Sequence, residues 1–502
     1  MRKIVIFGSG VTGLKLAHEL IKTGNEITVY ETKDQPGGKC IGTFENGLPT
    51  ELTHRQMFAS NMNFITTLNE IEYEGNNLLK NIEPINNVQF YWAKERKFMD
   101  FNRNFFNFLE QLIDNLKSAN SLFFSGVPLK DIYWFRSKLL VNKIDKETLN
   151  MPLREYLEFD KRPKLAVFIL KIISTWIGGN GNTKTGDFLL LFNYKNLSKK
   201  KVYTQTNTTS ITLNGPISDS LIQPWYDFLR KKGVTFHFNE GIKKLNISNG
   251  KALNAVSEKN NIIEADAFVL AIPPKQVIEM LPKIAERLSV SYIKSHGFQF
   301  HFKEVPDLFL NKTIGIIADS AWGLSYKLYH TKKYAHKEFS NGVKVTISIT
   351  ATKTEKERGP LYKKPLIECT IKEVEEELLF QMGLLKKDMC KDMMYGNLNI
   401  GLGAKYLEYT EINLEEYKDW HHGPIIKEDN GNKYFWAFEN ELINPDYNNK
   451  VGINSFNCNN VFISGEWIND ENQVWTVPST IERCMENAAI CSKVVNNYLV
   501  EA

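Results

Sequence analysis

The chain has 502 residues, 42% of them hydrophobic and 24% charged, which is ordinary globular usage and excludes disorder, collagen and coiled coil. Its 62 Lys and Arg against 58 Asp and Glu leave a net charge of +4, too even a balance for a nucleic-acid partner. Six cysteines without a CxxC pair or an adjacent His at ligand spacing argue against a zinc site or a disulfide scaffold, so no metal and a reducing compartment are expected.

The chain opens with KIVIF (Lys3 to Phe7), an apolar run suited to a buried parallel strand. The run stops at Gly8, short of the ~7–15 residues of a signal-peptide core. Leu14, Ala17 and Ile21 then mark one face of a helix, Gly24-Asn25 ends it, and EITVY (Glu26 to Tyr30) is a second strand. From about residue 60 to 200 the pattern reads as mainly helical. Its longest apolar stretch, Leu165 to Ile177, is interrupted by Lys171 and falls short of the ~20 residues of a membrane span. A cytoplasmic location is expected, and an amphipathic segment lying on a membrane surface is compatible with the pattern.

A second α/β stretch follows, with a helix over Leu221 to Lys232, a strand at GVTFHF, a hairpin from IKKLNI and ALNAV, and a buried strand in ADAFVLAIPP. Residues from about 287 to 425 mix strands (Val343 to Thr350) with a charged amphipathic helix (Ile371 to Gln381) and read as a separate domain. The tail returns to α/β, with a strand at VFISG and a long helix over Ser479 to Tyr498. The expected fold class is α/β, a Rossmann-like domain assembled from discontinuous segments.

Gly8-Ser9-Gly10-Val11-Thr12-Gly13 is a GxGxxG placed between a strand and a helix. Gly8 permits the tight turn, Gly10 lets a pyrophosphate approach the backbone, and Gly13 lets helix and strand pack closely. The amides and positive dipole of the helix N-terminus, at Val11 and Thr12, complete a phosphate site. Glu31, ending the second strand, accepts hydrogen bonds from ribose hydroxyls in such units. The alternative is a plain glycine-rich turn. Just beyond lie Gly37, Gly38 and Lys39, where paired glycines let a loop pass close to a cofactor and Lys39 meets a phosphate or a flavin edge. An ordinary Pro-Gly turn with a solvated Lys is the other reading.

Taken together, GSGVTGLKLAHEL, YETKDQPGGK and the tail ISGEW…PSTIE resemble the FAD-dependent flavin amine oxidase superfamily, most closely its carotenoid (phytoene-type) desaturase and hydroxysqualene-processing branch. The resemblance implies FAD as cofactor. It assigns Gly8, Gly10, Gly13 and Glu31 to the ADP half, Gly37, Gly38 and Lys39 to the length of the cofactor, and Ile242 in GIKKL to the adenine. Gly465 and Glu466 fall to the pyrophosphate or ribityl chain, and Ser479, Thr480 and Ile481 to the flavin. The implied division is FAD-binding segments 1–58, 213–286 and 430–502, a mainly helical insertion 59–212, and a mixed α+β substrate domain 287–429. The Glu51-Leu52-Thr53-His54 segment resembles one that faces the flavin in this branch. Asp319-Ser320-Ala321-Trp322 resembles a substrate-side segment, with core packing the alternative for Trp322.

The tail departs from the family pattern where Arg483 and Asn487 replace glycines. Arg483 either stabilises a reduced flavin or crowds the backbone approach. Ser479-x-x-Glu482 also reads as a capping box.

The leading expectation is an FAD-dependent oxidoreductase moving a hydride from a C–H of a small apolar substrate (polyene, terpenoid or lipid-like) to flavin N5, with oxygen or a quinone as electron acceptor. His54 then accepts a proton or orients the substrate, with Glu51 fixing its tautomer, unless this His is structural. An amine oxidase releasing peroxide is the alternative. Thr480 stands where that subgroup usually carries an aromatic cage residue, Trp475 lies nearby, and Lys327 is a candidate for its flavin-associated lysine. The third expectation is an FAD-retaining binding protein without turnover.

Overall fold

The computed structural model describes residues 1–501 except 46–47, 52, 103–119, 121, 124, 140–144, 178, 193–207, 209, 331–338, 340–341, 385–392, 396–405, 409–424, 430–431, 437–440, 456–457 and 470–479. A five-stranded parallel sheet forms its first core. The strands are β1 (Lys3–Phe7), β2 (Glu26–Tyr30), β3 (Thr235–His237), β4 (Ala267–Leu270) and β5 (Val461–Ile463), in the order β3-β2-β1-β4-β5. Reversal of strand order on either side of β1 makes this a doubly wound α/β sheet, whose ligands bind beyond the carboxyl ends of the central strands. Ile4, Ile6, Val29, Val269 and Ile463 are fully buried, as continuous apolar runs covered on both faces require.

Three helices flank the site on this sheet: α1 (Val11–Ile21), α2 (Met62–Glu70) and α3 (Ile481–Glu501). Thr12 lies beside Cys484, and the Thr23 hydroxyl lies 3.2 Å from Asn496 Oδ1, so α1 and α3 run side by side in the same direction. Their two N-termini therefore share one end.

A second sheet of seven strands carries the order Lys97–Asn102, Asn87–Trp92, Ile314–Ile317, Leu324–His330, Val345–Ala351, His296–Phe302, Met393–Tyr395. It is antiparallel except where Asn87–Trp92 runs parallel to Ile314–Ile317. Two of its strands thus come from the stretch read as mainly helical. Asn87–Trp92 is buried at every residue after the first, so it lacks the alternation that marks a strand with one wet face. The helix Ile371–Gln381 packs Val374, Leu378 and Leu379 into the same core as Phe298, Phe300 and Tyr326. Helices Leu129–Leu139, Pro163–Ile177 and Thr185–Phe192 build a separate apolar cluster around Ile132, Leu165, Ile169 and Phe188. Among the described residues no helix is long and apolar enough to cross a membrane.

Candidate functional site

The glycine turn between β1 and α1 is built on close backbone contact. Gly8 has φ +99°, and a Cβ there would lie 2.4 Å from the Ala271 carbonyl oxygen; one on Gly13 would lie 1.8 Å from the Gly8 oxygen. Gly10 differs. Its backbone is ordinary (φ −66°), and an added Cβ would meet only the Gly38 Cα, at 3.8 Å. Side-chain bulk is absent at Gly10 although the protein leaves room for it, as expected where a ligand comes close. Gly10 is the N-cap of α1 with no side-chain cap, and Val11, Thr12 and Gly13 carry its first-turn amides.

Glu31 is buried and already at work. Its Oε2 accepts from the Ser9 amide and the Ser9 hydroxyl, both at 2.8 Å, and its Oε1 accepts from the Lys33 amide at 3.0 Å. The Thr32 hydroxyl also donates to Oε1 at 3.1 Å, and the carboxylate thereby locks the glycine turn to the end of β2. The Glu240 amide donates to the Glu31 carbonyl, and a Cβ on Gly241 would lie 2.3 Å from Thr32, so the strand opening at Ile242 passes beside this carboxylate.

Gly37 and Gly38 fold back onto the turn. The Gly37 amide donates to the Ser9 carbonyl at 2.9 Å, and both glycines have positive φ, +123° and +58°. Lys39 then pairs with Glu466 at 2.7 Å, joining residues from opposite ends of the chain. Gly465 lies next to Glu466, and its carbonyl accepts from Asn487 Nδ2 at 2.7 Å. The positive N-terminus of α3 lies beside that of α1, and Thr480 caps α3, its hydroxyl accepting from the Arg483 amide at 3.2 Å. Ile481 opens the helix, buried.

Glu482 is used at the start of another helix. Its carboxylate accepts from the Asn63 and Phe64 amides, each at 2.9 Å, and so caps α2. Arg483 is fully buried and is used by protein: Nη2 donates to the Ile468 carbonyl at 3.0 Å and to Asn469 at 2.8 Å, and Nη1 lies 3.9 Å from buried Asp187. The guanidinium braces the tail against the helical layer. Nothing in the sequence pointed to Asp187 except a lone charge in the apolar helix TGDFLLLF. Ser479 and Trp475 lie outside the described residues.

A second polar cluster sits where the strand Leu48–Glu51 meets the seven-stranded sheet. Buried Glu51 accepts a short hydrogen bond from the Tyr329 hydroxyl and one of 3.4 Å from Ser348, while its backbone carbonyl accepts from Gln299 Nε2 at 2.8 Å. Burial pushes its carboxyl up, against the pull of nearby Lys327. Lys327 is itself buried, donating to Thr212 Oγ1 at 2.8 Å and to the Leu213 carbonyl at 2.9 Å, with its ammonium 4.1 Å from the Tyr329 ring centre. The partners of Glu51 are thus Tyr329 and Ser348 rather than His54, so it does not set the His54 tautomer. His54 Nδ1 lies 3.3 Å from the Thr350 hydroxyl. Burial, then the Lys327 and Arg55 cations, hold His54 down to about 3, so the imidazole is neutral at physiological pH. Arg55 donates to the Lys39 carbonyl at 3.0 Å, which links this cluster to the glycine cradle.

Trp322 is fully buried among Tyr91, Phe298 and Tyr326, a core residue rather than an open cavity wall. His18, Glu19 and Glu70 gather ligand atoms within 4.8 Å, but they form a structural network. His18 Nδ1 accepts from Trp225 Nε1–H at 3.1 Å, leaving the ring proton on Nε2, which faces Glu70 at 2.7 Å; Lys15 and Lys22 pair with the carboxylates.

Open space over Gly10, two co-directed helix N-termini and a carboxylate at the end of β2 fit a dinucleotide. Comparison with known proteins agrees. Residues 11–298 match the family described as flavin containing amine oxidoreductase. The chain is 26% identical over 306 residues to 4,4'-diapolycopen-4-al dehydrogenase of Metabacillus indicus, covering 56% of this chain and 58% of that protein. It is 23% identical over 280 residues to 1-hydroxycarotenoid 3,4-desaturase of a Flavobacterium species, covering 52% and 54%. The matches thus span little more than half the length of these curated relatives. Cyclohexylamine oxidase of Brevibacterium oxydans shares the fold over 99% of both chains, with a TM-score of 0.58 at 12% identity.

Proposed function

The chain belongs to the flavin containing amine oxidoreductase family and is an FAD-dependent oxidoreductase; on that premise we propose that it dehydrogenates an apolar substrate, a polyene, terpenoid or similar lipid, in a reaction of the desaturase type. The observation carrying this reading is the pair of relatives named as a dehydrogenase and a desaturase. When bound, FAD supplies the electron sink that accepts the hydride.

The chain's own residues hold and orient. The amides of Val11, Thr12 and Gly13 would hold the pyrophosphate, and Glu31 would fix the glycine turn beside the adenosine ribose. Lys39 and Glu466 neutralise each other beside the cradle, so this stretch adds little net charge. His54, neutral and set against Thr350, orients the substrate, and the Glu51–Tyr329–Ser348 bonds fix the strand that presents it. Removing hydride from carbon needs orientation in a dry site more than acid–base power, which suits an imidazole too weakly basic to act as a proton acceptor. Oxygen or a quinone takes the electrons onward.

Amine oxidation is the second reading, favoured by Lys327, a buried lysine on the second sheet. Anaerobic titration of the holoprotein separates the two. Loss of flavin absorbance with polyenes or terpenoids and none with amines is expected. Reduction by amines, with peroxide release in air, would overturn the proposal in favour of the second reading. Silence across both panels would leave an FAD-retaining protein without turnover.

A further inference from the structure

We propose that Arg55, not Arg483, is the cation that faces the flavin ring and stabilises the negative charge the ring gains on reduction. The inference needs bound FAD but no particular substrate, so it holds or fails apart from the dehydrogenase reading.

A hydride carries two electrons and one proton, so a neutral ring that accepts one gains a single negative charge. A fixed cation beside the ring favours that state and raises its reduction potential, which is how a protein tunes such a cofactor. Arg483 is the candidate the sequence offers, but its guanidinium is fully buried and engaged by the Ile468 carbonyl, Asn469 and Asp187. Arg55 is held differently. Its backbone carbonyl accepts from the Thr212 hydroxyl at 2.8 Å, and its Nη2 donates to the Lys39 carbonyl at 3.0 Å. The backbone is thus pinned to the strand Ser210–Leu213, and the side chain to the glycine loop that folds over Gly10.

The head group still has donors to spare. Among the described residues no carboxylate lies within ion-pair distance of it, and its other neighbour is the Cys40 thiol. A guanidinium carries five N–H donors. Arg55 is half-buried, and none of its nitrogens is enclosed without a partner, so the unused donors reach accessible space. Lys39, the cation on the same loop, already pairs with Glu466. The surrounding charge has one sign. Both charges acting on His54, the adjacent residue, are cations: Lys327 and Arg55. Burial pushes the Glu51 carboxyl up, which weakens it as a counter-ion. A positive, partly desolvated spot beside the glycine cradle complements the reduced ring better than the neutral oxidised one. The competing accounts are a solvated arginine that meets nothing, and one that meets the pyrophosphate, whose charge is the same in both redox states.

Potentiometric and sulfite titrations of the holoprotein separate these accounts. Sulfite forms a bond from its sulfur to flavin N5 and pushes an electron pair into the ring, so its affinity reports the same cation without any substrate. Arg55→Gln keeps a donor for the Lys39 carbonyl and removes the charge. It is expected to weaken sulfite binding about tenfold and to lower the potential by the equivalent ~30 mV of a two-electron couple. Arg55→Met should match it, Arg55→Lys should stay near wild type, and affinity for oxidised FAD should change little in all three. Wild-type potential and sulfite affinity in Arg55→Gln would overturn the inference in favour of a solvated arginine. Weaker FAD binding at an unchanged potential, or failure of Arg55→Gln to hold FAD at all, would overturn it in favour of the pyrophosphate. Flavin reduction by polyenes and by amines, followed in the wild type, tests the dehydrogenase reading and leaves this one untouched.

Discussion

Adding one methyl group at Gly10 and at Gly13 separates ligand space from packing space. At Gly13 the new carbon overlaps the Gly8 carbonyl, so Gly13→Ala is expected to cost about 3 kcal/mol or more and to lose FAD with the fold. At Gly10 the protein has room, so Gly10→Ala should leave the apoprotein melting temperature nearly unchanged while FAD affinity drops; unchanged affinity would show that nothing approaches there. Arg483 calls for a cycle rather than a single change. Arg483→Met strands Asp187 in the interior and should destabilise by about 3–5 kcal/mol, whereas the Arg483→Met/Asp187→Leu double variant should recover much of that. Denaturant melts of the four proteins read this directly. The sequence made Arg483 conspicuous as a departure from glycine, but its role depends on Asp187, 296 positions away, and no local pattern encodes such a partnership.

The capping of α2 by Glu482 turns a residue of one helix into the start of another. Glu482→Ala should therefore loosen Met62–Glu70 first, lowering stability by about 1–2 kcal/mol and raising amide exchange at Asn63 and Phe64 before α3 is affected. Uniform exchange across both helices would contradict this. Elements with strong local signals were legible in the sequence. The β1–α1–β2 unit, the hairpin Ile242–Ser248 with Lys251–Ser257, and the helix Ile371–Gln381 stand where period and punctuation put them. The helix even carries a complete capping box from Thr370 and Glu373. The strand Asn87–Trp92 was hidden because burial of every residue after the first removes the polar–apolar alternation. The Glu51 cluster was hidden for another reason: Gln299, Tyr329 and Ser348 reach it only after two sheets have packed.

Histidine burial ties the whole molecule to pH. His18 is held down to about 4, His296 to about 3 and His301 to about 4, in each case chiefly by burial. The folded values lie below the ordinary ~6.5, so on acidification the unfolded chain takes up protons first. The stability they contribute is complete above about pH 6.5 and is lost as pH falls toward 4, with a slope approaching about 4 kcal/mol per pH unit if three protons are taken up. Melting temperature should fall steeply between pH 7 and 5; a flat profile would mean that these imidazoles are not neutral and enclosed. The nucleotide sheet carries a different consequence, one of timing. Its central strand at Lys3–Phe7 pairs with Ala267–Leu270, which waits in turn for Val461–Ile463. During synthesis Lys3–Phe7 and its neighbour Glu26–Tyr30 leave the ribosome long before Ala267–Leu270 exists, and the sheet stays unfinished until Val461–Ile463 emerges. An exposed glycine turn and unsatisfied strand edges must survive that interval, which makes the nascent chain a natural client for chaperones and makes flavin capture one of the last events in maturation.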